Sequence, residues 1–302
     1  MLGRLIHLLI PAGLITTAAF GQTLPAPDIQ ANPHTPTALS RIRGLFDIDL
    51  PELDPPGTIK LIFRPHISDF IRRDYLRTET GFRWALNDNF EFSSEAATFV
   101  THGFGDPAGY GIGELNFGSK YIFPTWLRPD YEASVSLNID LPVGRPPLDF
   151  TDGLEHYAPG IVVQHHSARL TRLTTFAGTS LDLITHSSVA GVIQPNQPHD
   201  DSVSITAGGV YEIGQIKWTL SGTYTTTAWV SGTSAHFFYL QPSLLWYVPK
   251  KLTFNSKTQW IVGIGTPMTW GPDGYEFKVT SRLRAEITFR QVLEQIRVRA
   301  SR

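Results

Sequence analysis

The sequence contains no cysteine, only one long apolar run and no large excess of charge of either sign. Without cysteine, the chain can form neither a disulfide framework nor a thiolate zinc site. A net charge of −2 over 302 residues gives no electrostatic reason to expect nucleic acid as a partner. Beyond the first residues, no run reaches the length of about 20 apolar residues that a transmembrane helix needs. These absences exclude a helical membrane protein.

The one long apolar run lies at the start of the chain. It follows Arg4, extends to Ala19 and closes on Ala-Phe-Gly, which places small residues around a cleavage site after Gly21. This arrangement is typical of a secretory signal peptide, predicted here at residues 1–21. A retained membrane anchor is the alternative, although the run is short for a membrane span and is interrupted by Pro11.

The rest of the chain divides into three parts by composition. Residues 22–56 are rich in Pro, Ala, Thr and Asp, which predicts a periplasmic linker or, alternatively, a small plug inside a barrel. Residues 57–290 carry a regular alternating pattern and are predicted to form the folded domain. Residues 291–302 mix apolar with charged residues and are predicted to be a periplasmic C-terminal tail.

The strongest signal in the folded domain is the alternation of apolar and polar residues, which is the pattern of a strand with one apolar face. Residues 251–264 and 277–289 show this alternation most clearly, and both segments are about twice as long as an ordinary globular strand. The apolar face of these two segments, predicted to contact lipid, includes Leu252, Trp260, Leu283 and Ile287.

Ten further segments of this kind precede these two, which gives an even total of about twelve, as bacterial single-chain barrels require. They lie at about 58–69, 74–86, 90–101, 113–123, 130–141, 158–168, 172–185, 203–212, 215–228 and 236–248. In the segment at 158–168, the phase of the alternation is undetermined. The predicted fold is therefore all-β, a transmembrane antiparallel up-and-down β-barrel of about twelve strands.

The connections between these segments alternate between short and long. Short periplasmic turns and longer outer loops are the arrangement of outer-membrane barrels. The pattern therefore predicts a bacterial outer-membrane protein with both termini in the periplasm. The predicted long connections include residues 142–157, 186–202 and 265–276.

A soluble secreted β-sandwich would also show alternating strands, and charge on the apolar face separates the two folds. A lipid-facing Arg or Lys at the bilayer midplane costs about 2–4 kcal/mol, so a barrel should avoid charge there. Outside 158–168, only Asp69 and Asp74 break this rule, and both lie at segment ends. Aromatic residues also cluster at the segment ends, as the two interfacial belts of a barrel require. The barrel is therefore favoured.

Two short motifs carry a resemblance to a known family. The stretch Gly111-Ile112-Gly113-Glu114 begins one segment, and Leu141-Pro142-Val143-Gly144 ends the next. In sequence and order they resemble the GxGD-like and Leu-Pro-Thr-Gly elements of the phenol meta-pathway transporter-like outer-membrane proteins. Here Glu114 stands in place of the family's Asp, and Val143 in place of its Thr. The family-like positions are Gly111, Gly113, Glu114, Leu141, Pro142 and Gly144.

This resemblance implies a function as well as a fold. Members of the family are regarded as outer-membrane transporters that are linked to the uptake of aromatic or other apolar compounds. The motifs lie within about 35 residues. The solute class is implied by the resemblance alone.

The polar face, predicted to line the lumen, divides by sign of charge. A basic wall on strands twelve, one and two comprises Lys60, Arg64, Arg77, Arg83, Lys278, Arg282 and Arg284. An acidic wall on strands three to five comprises Glu91, Glu95, Glu114, Glu132 and Asp140. Opposed walls would create a field across a narrow lumen. Alternatively, the charges pair across strands and fill the interior.

No pattern of catalytic or metal-ligating residues stands out in the sequence. His156, His165, His166 and His199 lack the spacing of a ligand set, and Ser180, Asp182 and His186 lack the context of a hydrolase triad. We therefore predict neither an enzyme nor a cofactor.

The predicted function is a passive outer-membrane channel or transporter for small solutes. The expected partners are the membrane lipid, the barrel-assembly machinery and a small-molecule solute. A non-conducting barrel with a structural or surface-binding role is the alternative.

Overall fold

The computed structural model describes residues 50–66, 74–102, 109–123, 130–147, 150–167, 169–187, 200–231, 233–254, 256, 258–272 and 274–289. The predicted signal peptide, most of the predicted linker and the C-terminal tail lie outside these residues. Among the described residues, no helix is long and apolar enough to cross a membrane.

The described chain forms fourteen strands in one antiparallel sheet that closes on itself. The strands are β1 (Ile59–Pro65), β2 (Tyr75–Ala85), β3 (Phe90–Thr101), β4 (Tyr110–Phe123), β5 (Tyr131–Pro142), β6 (Leu154–His166), β7 (Leu173–His186), β8 (Ser202–Ile213), β9 (Ile216–Thr226), β10 (His236–Tyr247), β11 (Gln259–Gly265), β12 (Met268–Gly271), β13 (Gly274–Phe277) and β14 (Thr280–Thr288). From β1 to β10 each strand pairs with the next one along the chain, and β14 pairs with β1.

These fourteen strands form a barrel of twelve. Both β11 and β12 pair with β10, so they are two parts of one barrel strand, interrupted at residues 266–267. Likewise, β13 pairs with β12 and β14 pairs with β11, so these two are parts of the last barrel strand. The predicted all-β, closed antiparallel barrel of about twelve strands is confirmed.

The two faces of the barrel wall differ as the alternation predicts. On β1, the side chain of Ile62 is 1% exposed, whereas its neighbours Leu61 and Phe63 are 42% and 44% exposed. The inward face therefore carries Lys60, Ile62 and Arg64, and the outward face is apolar.

The prediction was wrong in the first half of segment 251–264. Residues Lys250–Thr253 form a turn of 3-10 helix after Pro249, and Phe254 follows with a φ of 52°, so the strand starts only at Gln259. Leu252 lies in that turn and is exposed instead of lying on the outer face of a strand. The alternation here reflects an exposed turn rather than a strand.

The predicted long connection at 265–276 was also wrong. Met268 pairs with Phe277 and Trp270 with Tyr275, so most of this segment extends the last two barrel strands as a hairpin. Pro267 lies in the interruption between β11 and β12. An irregular break followed by renewed pairing has the same sequence signature as a loop.

The undetermined phase near 158–168 is settled by the register of β6. Gln164 is opposite Glu132, and His156 is opposite Asp140, so the even-numbered residues of β6 face the lumen. Val162 also points inward, where it packs against Phe176. An apolar residue on the inner face is what obscured the alternation.

Candidate functional site

The inner surface of the barrel is the candidate site. We call the end where β1 begins and β14 ends the lower end, and the opposite end the upper end.

In the upper half of the lumen, charges from the two predicted walls pair with each other. Arg64 contacts Glu79 at 3.0 Å and also forms an ion pair with Glu95. Arg77 lies 3.3 Å from Glu79 and 3.6 Å from Glu114. These contacts link β1 to β3 and β2 to β4, so this part of the interior is a salt-bridge network.

Above this network, the connection between β5 and β6 folds into the barrel. We call residues 143–147 and 150–153 the inward loop. Its Phe150 is 3% exposed and packs against Tyr75 and Phe99, with ring centroids 5.6 Å apart in both pairs. The guanidinium of Arg77 lies 4.8 Å from the centre of the Phe150 ring and donates to its carbonyl oxygen at 3.2 Å. The inward loop therefore narrows the upper lumen.

A buried histidine ties the inward loop to the wall. His156, which is 2% exposed, has its Nε2 3.0 Å from Asp152 Oδ2 and its Nδ1 2.9 Å from Asp182 Oδ1. A neutral imidazole has one N–H and can donate to one carboxylate only. Donation to both therefore requires the imidazolium form.

At the lower end, residues 50–54 lie inside the barrel, and we call them the strap. Lys120, on β4, donates from Nζ to the carbonyl oxygens of Leu50 at 3.1 Å and Glu52 at 2.9 Å. Gln164, on β6, is fully buried and donates to the Pro51 carbonyl at 3.4 Å. Lumenal side chains therefore provide the donors for the strap backbone.

The strap also crosses the lumen. It is joined to β1 and its Asp54 lies 2.7 Å from Lys60 of that strand. Leu50, at its other end, packs against the cluster of Phe176 on β7 and Val210 on β8. In a ring of twelve strands, β7 lies opposite β1, so five residues span the lower lumen.

A cavity of about 300 Å³ lies beside the strap. Its walls include residues from β1, β2 and β14 on one side and from β8, β9 and β10 on the other. The charged side chains that line it are Glu52, Asp54, Lys60, Arg64, Arg83, Glu91, Lys120, Glu212, Lys217, Arg282, Arg284 and Glu286.

The predicted wall residues have different surroundings. Of the basic set, Lys60, Arg64, Arg83, Arg282 and Arg284 line the cavity, Arg77 lies above it, and Lys278 is exposed and pairs with Glu276 at 2.7 Å. Of the acidic set, Glu91 lines the cavity, Glu95 and Glu114 belong to the network, Asp140 is opposite His156, and Glu132 accepts from Gln164 at 2.6 Å.

The two family-like motifs are neighbours in the structure. Glu114 is opposite Pro142, and Leu115 opposite Leu141. Gly113 is the extra residue of a β-bulge in β4, and its carbonyl accepts from the Val143 amide at 3.0 Å. Gly144 has a φ of 66°, a conformation that favours glycine, and starts the inward loop. Gly111 lies above the bulge on β4.

Sequence reasoning missed the inward loop and the cluster around His156, and for the strap it offered only the alternative of a small plug within residues 22–56. The one available signal was Lys120, a single cation among the acidic residues of strands three to five. The other histidines are dispersed: His165 lies 3.1 Å from Asp130, and His199 is outside the described residues. No group of three metal-ligating side chains occurs in the described part of the chain. Asp182 contacts His156, and no contact with Ser180 or His186 is seen among the described residues.

No family model matches the sequence, and no curated protein matches it. Among solved structures, the chain is similar to an outer-membrane channel from Pseudomonas putida F1, with a TM-score of 0.51 and 11% identity over 79% of this chain and 97% of that one. It also matches the KdgM porin (TM-score 0.43, 9% identity, 76% and 97% of the two chains) and the CymD monoaromatic hydrocarbon channel (0.42, 7%, 78% and 89%). At these identities, the first likeness concerns the barrel fold alone, and the other two are weaker still.

Proposed function

We propose that this protein is an outer-membrane channel that admits small solutes by passive diffusion. The observation that carries the proposal is a closed twelve-strand barrel whose inner face is polar and charged and encloses a cavity of about 300 Å³. A barrel of this size lies between the side-chain-filled eight-stranded barrel and the open sixteen-stranded porin. The fold likeness to an outer-membrane channel supports the same function.

The proposed location is the outer membrane, with the lower end in the periplasm. The apolar outer face supports contact with lipid, and the signal-peptide pattern supports export. The chain enters β1 and leaves β14 at the lower end, which supports periplasmic termini. Assembly by the barrel-assembly machinery follows from this location.

The proposed family is that of the phenol meta-pathway transporter-like proteins. The side-by-side position of the two motifs supports this, since Gly113 and Val143 are joined by a backbone hydrogen bond. On that proposal the solutes include aromatic or other apolar compounds.

The strap favours a second candidate, a barrel that does not conduct. It spans the lower lumen and is held at several points, by Lys120 of β4, by Gln164 of β6 and by Lys60 of β1. If the strap never leaves, the lumen is closed at its periplasmic end.

Single-channel conductance in planar bilayers separates the two candidates. The paired variant Leu50→Cys with Val210→Cys would lock the strap to β8, because these side chains pack together and the natural chain has no other cysteine. We expect conductance steps in the natural protein, smaller or rarer steps in the oxidised variant, and recovery on reduction.

The control is Leu50→Cys alone under the same oxidising and reducing conditions. Correct folding is checked by heat-modifiable migration in gels. A folded protein that is silent in every state would contradict the channel and support the non-conducting barrel.

A further inference from the structure

The wall of the cavity beside the strap carries two cationic side chains at directly paired positions of neighbouring strands. Lys60 on β1 and Arg83 on β2 are paired positions, and both line the cavity. Like charges at directly opposite positions destabilise a sheet unless something neutralises them. Asp54 of the strap lies 2.7 Å from Lys60, but Arg83 has no ion-pair partner among the described residues.

The neighbouring strand adds to the positive charge at this wall. Arg282 and Arg284 of β14 also line the cavity, next to β1. Glu286 compensates in part, at 2.6 Å from Arg284 and 3.8 Å from Lys60. In all, seven cationic and five acidic side chains line the cavity, and two of the five acidic ones belong to the strap. The barrel wall alone is therefore strongly positive here.

Asp54 shows which chemistry fits against this wall. It is a carboxylate, supplied by the chain itself, in contact with the ammonium of Lys60. Arg83 is adjacent and presents a guanidinium, whose planar fork suits a carboxylate in two-point contact.

The opposite side of the cavity has an apolar part next to the ion pair of Glu212 with Lys217. Val210, Leu245 and the ring of Tyr247 form the apolar part, and Ile261 lies near the basic wall. The volume is at the lower end of the range of small-molecule sites.

We propose that this cavity binds small organic acids that carry one carboxylate and an apolar ring or chain, with Arg83 as the anchor of the carboxylate. The inference rests on the proposed channel function and specifies its solute class. The apolar part of the solute packs against Val210, Leu245 and Tyr247.

The test is calorimetric binding of benzoate to the purified full-length protein in detergent, with benzyl alcohol and benzylamine as probes of the same ring but different charge. We expect benzoate to bind and the other two to bind at least tenfold more weakly. Arg83→Gln should lower benzoate affinity about tenfold or more, since hydrogen bonds to charged groups contribute about 1.5–3 kcal/mol.

Arg172→Gln is the matched control. It removes the same charge, but the Arg172 side chain is exposed in the turn before β7. Its backbone carbonyl accepts from the Glu212 amide, a bond that the substitution leaves in place. Benzoate affinity should be unchanged in this variant. Arg83→Lys keeps the charge but loses the planar guanidinium, so its benzoate affinity should lie between those of the natural protein and Arg83→Gln. This variant replaces Arg83→Gln in the test if Arg83→Gln does not fold.

Two results would overturn the site: equal binding of benzoate and benzyl alcohol, or equal benzoate affinity in the Arg83 and Arg172 variants. Conductance separates this failure from that of the proposed function. If the protein conducts but does not bind benzoate, the channel function stands and the proposed site is wrong. If the protein does not conduct but binds benzoate through Arg83, the site stands and the channel function is wrong.

Discussion

At the scale of single residues, most charged side chains in the upper lumen are neutralised by a partner on a nearby strand. Arg64 and Arg77 each reach across one intervening strand, to Glu95 and Glu114. Alternation in the sequence predicts which charged residues share a face, because side chains in a strand point to opposite sides in turn. It does not predict their partners, which depend on the register and on the side-chain conformations.

His156 is the residue whose removal should affect the inward loop most directly. In His156→Asn, Asp152 and Asp182 lose their shared donor, and a lost hydrogen bond to a charged group costs about 1.5–3 kcal/mol. We expect amide hydrogen exchange at Phe150, whose amide bonds to the Pro147 carbonyl, to become about tenfold faster or more.

His165→Asn is the control for this variant. Its ring contacts Asp130 at the lower end of the barrel, far along the strand from the inward loop. Exchange at Phe150 should stay as in the natural protein. The same acceleration in both variants would contradict the role assigned to His156.

At the scale of elements, the bulge in β4 and the inward loop depend on each other. A Cβ on Gly113 would collide with the ring of Phe150 and lie 2.8 Å from the Cβ of Pro146. We therefore expect Gly113→Ala to lower the free energy of unfolding by about 1–3 kcal/mol, measured by urea titration in detergent. Phe150→Leu in the same chain should restore part of the loss. Additive destabilisation by the two changes would argue against the contact.

The regular elements were predictable from sequence to a much greater extent than the irregular ones. Strands β2 to β5 and β7 to β10 carry a period of two over ten or more residues, because the wall has one apolar and one polar face. The strap and the inward loop have no period, since residues such as Pro51 and Phe150 are buried by contacts distant in sequence. The alternation at 251–254 did not correspond to a strand, because exposed turns also mix apolar and polar residues.

At the scale of the whole molecule, the lumen is narrowed at both ends by segments of the chain itself. The inward loop occupies the upper part and the strap the lower part, with the cavity beside the strap. Passage of a solute through the proposed channel would therefore require movement of one segment or space beside it. The sequence could predict the barrel but not how much of its interior is filled, because filling is decided by the connections.

Insertion into the proposed outer membrane would make the two faces of one strand unequal. Val135, on the outer face of β5, and Ser136, on its inner face, are consecutive residues near the middle of the strand. Val135→Arg should lower the free energy of unfolding of the vesicle-folded protein by about 2–4 kcal/mol, because a charge at the bilayer midplane costs this much. Ser136→Arg should cost less, because its guanidinium enters a polar lumen. Equal costs, measured by urea titration of the vesicle-folded protein, would contradict a membrane-spanning wall.

The seam of the barrel differs from its other strand pairs. The first and last strands share four paired positions, from Lys60 with Thr288 to Phe63 with Ala285, whereas β2 and β3 share eleven. We expect this short ladder between the chain ends to form last and to open first, because few hydrogen bonds offset the entropy of bringing distant segments together. The strap ends next to this seam, where Asp54 contacts Lys60, and it lies inside the ring. An open seam would therefore give the strap a sideways exit from the lumen.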